Sequence, residues 1–143
     1  MTTTEFSGII NANGYITAQG IGIMEYNPEA WEVERQNAYG LHMEAKICEH
    51  WLDQCTKTKR IQKKIGSSFD LTIKFQQWYR EDNPGKRIII PDGALLIAAI
   101  HLGFDCKKVT GVPSFYMNLS NKHPIQGRWL NDSPLASAVN FYL

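Results

Sequence analysis

Five cations fall within eight residues, at Lys57, Lys59, Arg60, Lys63 and Lys64, and no other stretch of the chain concentrates charge in this way. Clustered cations bind phosphate, because counterions released from a polyanion supply affinity. They serve an acidic protein surface equally well through charge complementarity. Lys86 and Arg87, beyond the Pro84-Gly85 turn, extend the cluster, as do Lys107 and Lys108. The spacing of Lys57, Arg60 and Lys64 predicts that they share one face of a helix. The competing reading is a solvated helix end, where cations favour the negative pole of the dipole.

Other reactive types are present without a matching arrangement. Cys48 and Cys55 are seven residues apart, with His42 and His50 nearby in sequence. Zinc takes several ligands from matched spacings, commonly a Cys-x-x-Cys knuckle, and the sequence has none. No metal and no cofactor are expected. Cys106 beside Lys107 and Lys108 is the best candidate nucleophile, with His101 or His123 as base, since neighbouring cations depress a thiol pKa. No elbow motif or third orienting residue accompanies it. Gly20-x-Gly22 lacks the Gly-Lys-Ser/Thr of a phosphate-binding loop. No catalytic residue is assigned.

The elements that position these groups follow from patterning. Strands are predicted near Phe6–Ile10, Tyr15–Ala18 and Ile21–Tyr26, with Asn13-Gly14 as a hairpin turn. Asn27-Pro28-Glu29 opens a helix. Helical character is expected to about Lys64, with a break at Gly40, and Leu41, Ala45, Cys48, Leu52 and Cys55 lie on its apolar face. Ser67-x-x-Asp70 caps the next helix, which Asn83-Pro84-Gly85 ends. Ile88–Ile90 reads as extended, Asp92 as the cap of a helix over 93–102, and Phe115–Leu119 and Val139–Leu143 as late strands. Leu71, Ile73, Phe75, Leu95, Ile97, Ala98 and Leu102 are the expected core. The fold class is α+β: an N-terminal antiparallel hairpin sheet, about three central helices, and late strands returning to the sheet.

The runs SSFDLTIKFQQW, IPDGALLIAAIHLGFDCKK and VPSFYMNLSNK resemble a family of small uncharacterised proteins of phages, plasmids and integrated elements, the match covering Ser67 to Ser120. That family has a Ser-Ser-Tyr-x-Leu-Lys-His helix, an Asn/Asp-Gly-Ala-x-Ile-Ala-Ala helix ending in Gly-Phe, and an aromatic-x-Asn-x-Ser end. Here Phe69 stands in place of the tyrosine, and Thr72 and Ile73 in place of the Lys-His pair. The resemblance implies a mobile-element origin and a target in host or rival machinery.

A chain of 143 residues with 43% hydrophobic and 20% charged residues is expected to form a single domain, 1–143, and not a disordered tail. Its net charge of +1 excludes a uniformly basic binder of the histone type. Three cysteines, an odd number, favour reduced thiols over a disulfide framework. The opening MTTTEFSG lacks the charged and apolar regions of a signal peptide, so a cytoplasmic protein is expected. No apolar run spans a bilayer. The first functional expectation is a non-enzymatic inhibitor that occludes an acidic surface of a host or defence complex. Trp51, Trp78, Tyr79 and Trp129 are candidate interface anchors beside the cations. The second is a DNA- or RNA-binding accessory protein using the same cations. The third is an enzyme or small-ligand-binding protein with a site assembled from separated residues.

Overall fold

Thr2 sets the first departure from these expectations. Its hydroxyl accepts from the Glu5 N–H at 3.1 Å, and the Glu5 carboxylate accepts from the Thr2 N–H at 2.9 Å. This reciprocal cap starts a helix, α1 (Thr3–Ala12), where a strand over Phe6–Ile10 was expected. Phe6, Ile9 and Ile10 are three and four residues apart and form its inner face. Asn13 consequently ends a helix, its side-chain amide bonding the Ile9 carbonyl at 2.8 Å, and Asn13-Gly14 is not the hairpin turn.

The computed structural model describes residues 1–22, 27–122 and 124–130. The hairpin pairs β1 (Ile16–Thr17) with β2 (Gly20–Ile21), so its turn is Ala18-Gln19. Helix α2 (Pro28–Ala38) is capped by Asn27, whose side chain accepts from the Ala30 N–H at 3.1 Å. Arg35 reaches back from it to the Ile10, Asn13 and Ile16 carbonyls at 2.8 to 3.1 Å, satisfying the end of α1 and tying it to β1. Helix α3 (His42–Leu52) follows the break at Gly40, with Ala45, Cys48, Trp51 and Leu52 buried.

Residues 57–62 form a strand, β3 (Lys57–Gln62), instead of prolonging the helix. The helix propensity of Lys, Arg and Gln is overridden by tertiary pairing. Strand β5 (Phe115–Leu119) buries Phe115, Met117 and Leu119 on one face and needs partners on both edges. It gains β3 on one side and β4 (Cys106–Lys108) on the other, all antiparallel. Strand β4 was not foreseen. The late strand therefore builds its own sheet and does not join the hairpin, while the α+β class stands. The expected strand at Val139–Leu143 and the last part of that at Ile21–Tyr26 lie outside the described residues.

Helices α4 (Ser68–Asp82) and α5 (Asp92–His101) begin and end close to expectation. Every residue from Gly93 to Ala99 is buried, so α5 is the centre of the molecule, with α1, α3, α4 and the hairpin packed around it. Leu71, Phe75, Leu95, Ile97 and Ala98 belong to the main core. Ile73 is buried outside it, and Leu102 is only half-buried. Between α4 and α5 the chain is extended: Ile88 and Ile90 are buried while Ile89 points to solvent, and the Ile90 N–H donates to Gln76 at 2.6 Å.

The polar residues at the start of α4 and along β5 have structural work here. The Ser67 N–H donates to Asp70 at 2.9 Å. Buried Ser68 donates to Asp92 at 2.5 Å and accepts from the Phe115 N–H at 3.0 Å, joining α4, α5 and β5. Asn118 bonds the Thr58 carbonyl at 2.9 Å and the Asp105 N–H at 2.8 Å, bracing both edge strands. Ser120 donates its N–H to Thr56 at 3.0 Å.

A cationic sheet edge as the candidate functional site

The strand assignment rearranges the cationic cluster. Lys57, Arg60 and Lys64 do not share a helix face: Lys57, Lys59 and Arg60 lie on β3, an edge strand, and Lys63 and Lys64 in the turn after it. The register of β3 against β5 slips between the pairs Lys57–Leu119 and Gln62–Met117. In this bulge the Arg60 carbonyl accepts from the Thr58 hydroxyl at 2.6 Å and the Gln62 amide at 3.1 Å. All five side chains are exposed. Lys57 is the most anchored, its ammonium 5.2 Å from the Phe104 ring centroid.

Lys107 joins the cluster across the sheet. It is the register partner of Tyr116 on β5, and the Lys63 ammonium stands 5.7 Å from the Tyr116 ring centroid on the other side. Lys108 alternates to the opposite side of β4 and donates to the Val109 and Val112 carbonyls at 3.1 and 2.8 Å. Lys86 and Arg87 are exposed in the turn after α4, whereas Lys63 and Lys64 lead into its start. The 15 residues of α4 separate these two pairs along the chain by a helix about 22 Å long.

The ion pairs of the described residues involve the Met1 ammonium, His101 and Arg128. Among the described residues, no carboxylate lies within ion-pair distance of Lys57, Lys59, Arg60, Lys63, Lys64 or Lys107.

Two of the three tryptophans expected as interface anchors are engaged in the core. Trp51 and Trp78 are buried and meet edge to face with ring centroids 5.1 Å apart. Arg128 lies over both rings, at 5.4 and 5.7 Å, and binds Asp82 at 2.5 Å. That contact holds Asp82 below the usual carboxylate range. Trp129 is exposed and Tyr79 half-buried.

Among the described residues the candidate nucleophile finds no base. Burial, helped by Asp105, pushes the Cys106 thiol up to about 12, against the effect expected of Lys107 and Lys108. His101 is turned to Glu49 at 3.0 Å, and His123 lies outside the described residues. Burial likewise pushes Cys55 up to about 12, and burial with the Glu44 carboxylate raises Cys48 further. All three thiols are free. Native protein at pH 8 is expected to react with a disulfide reagent at least about a hundredfold more slowly than unfolded protein, because only the thiolate attacks. Equal rates would contradict this picture. Among the described residues, no group of three or more His, Cys, Asp or Glu side chains is placed to hold a metal ion.

One concavity was not anticipated. A groove of about 520 Å³ runs between α3 and the end of α4. His42, Met43, Lys46 and His50 line one wall, and Tyr79 the other. Four-residue spacing of His42, Lys46 and His50 is the sequence signal that aligns them on one stripe.

Comparison of the chain with protein-family models, with curated proteins and with solved structures finds no match to any of them. Among the described residues no helix is long and apolar enough to cross a membrane.

Proposed function

We propose that this protein acts by binding and not by catalysis, presenting the edge strand β3 and Lys107 to a polyanionic partner whose surface it then occludes. The observation that carries the reading is the set of six exposed cations with no carboxylate in ion-pair distance among the described residues. Like charges gathered on one small sheet repel each other, and an anion relieves that cost on binding. A charged edge strand also guards a sheet against edge-to-edge association. That protective role needs charge of either sign, whereas binding needs positive charge.

The resemblance over Ser67–Ser120 supports a mobile-element origin, and hence a target in host or rival machinery such as a defence complex. Three free thiols suit a cytoplasmic setting. A second reading, direct contact with nucleic acid, is favoured by the Tyr116 ring set between Lys63 and Lys107. The first test is equilibrium binding of the intact protein to fluorescent polyglutamate, single-stranded DNA and duplex DNA at physiological salt. At least one of the three is expected to bind, with duplex DNA at micromolar affinity or weaker. Absence of binding to all three would overturn the proposal.

A further inference from the structure

The outer face of the three-stranded sheet carries one aromatic ring in its strands, and that ring has no part in the core. Phe115, Met117 and Leu119 are fully buried, so the alternation of β5 turns Tyr116 the other way. Tyr116 is itself half-buried, but it is absent from the core and from the partly buried side chains packed on that core. Cations flank it on both neighbouring sides, Lys107 across the β4 pairing and Lys63 over the ring face.

We propose that Tyr116 is a stacking platform for an unpaired base, with Lys63 and Lys107 taking the adjoining phosphates, so that the polyanion received here is single-stranded nucleic acid. The proposal rests on the binding role of the cationic strand. The ring is what separates this partner from an acidic peptide. An aromatic face carries the negative lobe of its quadrupole, so it gains nothing from a carboxylate. A base has a π-face that stacks whatever its identity, and such stacking is a main source of affinity for single strands. In a duplex those faces are already covered by neighbouring base pairs, and only splayed bases reach a protein ring. The Lys63 ammonium occupies the position over the ring that a base would take. It sits on an exposed, flexible stem, and swinging aside brings its charge to the phosphate of the same nucleotide.

The test compares a fluorescent oligothymidylate with an abasic strand of equal length, a duplex and polyglutamate, using wild-type protein, Tyr116→Phe and Tyr116→Leu. Wild type is expected to prefer the oligothymidylate, and to bind the abasic strand about tenfold more weakly. Tyr116→Phe keeps the ring and is expected to match wild type, while Tyr116→Leu loses about tenfold toward the oligothymidylate alone. Equal affinity for the abasic strand would overturn the stacking role without any variant. Wild-type affinity in Tyr116→Leu would do the same. Preference for polyglutamate would overturn the single-strand inference and leave the polyanion-binding proposal standing. Failure with every probe would remove both.

Discussion

Leu95→Ala is expected to lower the unfolding free energy by about 2–5 kcal/mol, the range for a large-to-small change in a core that relaxes only in part. Leu95 is fully buried in α5, with neighbours from several elements around it, so little of the cavity is expected to be refilled. A companion change two residues earlier tests the docking of the hairpin. Ala is ordinarily better than Gly within a helix by roughly 0.5–1 kcal/mol. At Gly93 a methyl group would sit 2.1 Å from the Thr17 carbonyl oxygen and 2.8 Å from the Ala18 carbonyl. Gly93 also donates its N–H to that Ala18 oxygen at 3.0 Å, so backbone meets backbone and neither side chain can yield. Gly93→Ala is therefore expected to destabilise by about 1–3 kcal/mol, as overpacking does. Urea unfolding midpoints measure both. A stabilised Gly93→Ala variant would mean that the hairpin does not rest on α5.

Reversing Arg60, Lys63 and Lys64 to glutamate is expected to weaken polyanion binding by about a hundredfold or more at physiological salt, since each reversal replaces an attraction by a repulsion. The thermal midpoint is expected to change little. All three side chains are exposed, and none makes an ion pair among the described residues. The reversal also separates binding from protection of the sheet edge. Glutamates keep an edge strand charged and soluble, so a purely protective strand tolerates them. A reversed protein that stays monomeric and binds as well as wild type would leave edge protection as the role of these cations.

What the sequence revealed depended on whether a local signal agreed with the tertiary contacts. The box at Ser67 and Asp70, the turn at Asn83-Pro84-Gly85 and the apolar run after Asp92 are local and strong, and α4 and α5 lie where they point. Residues 3–12 misled because Ile9 and Ile10 favour strands by type, while the capping pair Thr2 and Glu5 and the three- and four-residue spacing from Phe6 favour helix. Spacing was the better guide. Residues 57–62 carry little strand signal of their own, since Lys, Arg and Gln suit a helix and only Thr58 and Ile61 are β-branched, so the bare edge of β5 recruits them. A helical reading of 57–64 puts Lys57, Arg60 and Lys64 on one stripe, which the strand disperses. It also hid the pairing of Lys107 with Tyr116, because a strand of three residues is too short to show alternation. The tryptophans were legible as large apolar groups, but Arg128, which covers Trp51 and Trp78, lies far from both in sequence.

The salt dependence of binding tests the central claim most directly. For single-stranded DNA, the logarithm of the association constant falls with the logarithm of salt by about 0.7 per phosphate neutralised. Contacts from Lys59, Arg60, Lys63 and Lys107 predict a slope near −3 for wild type. Loss of the Arg60 and Lys63 contacts leaves those of Lys59 and Lys107, which should bring it to about −1.4 in the reversed variant, where binding remains measurable at low salt. A wild-type slope near zero, or one unchanged by the reversal, would contradict a polyanion site on this sheet.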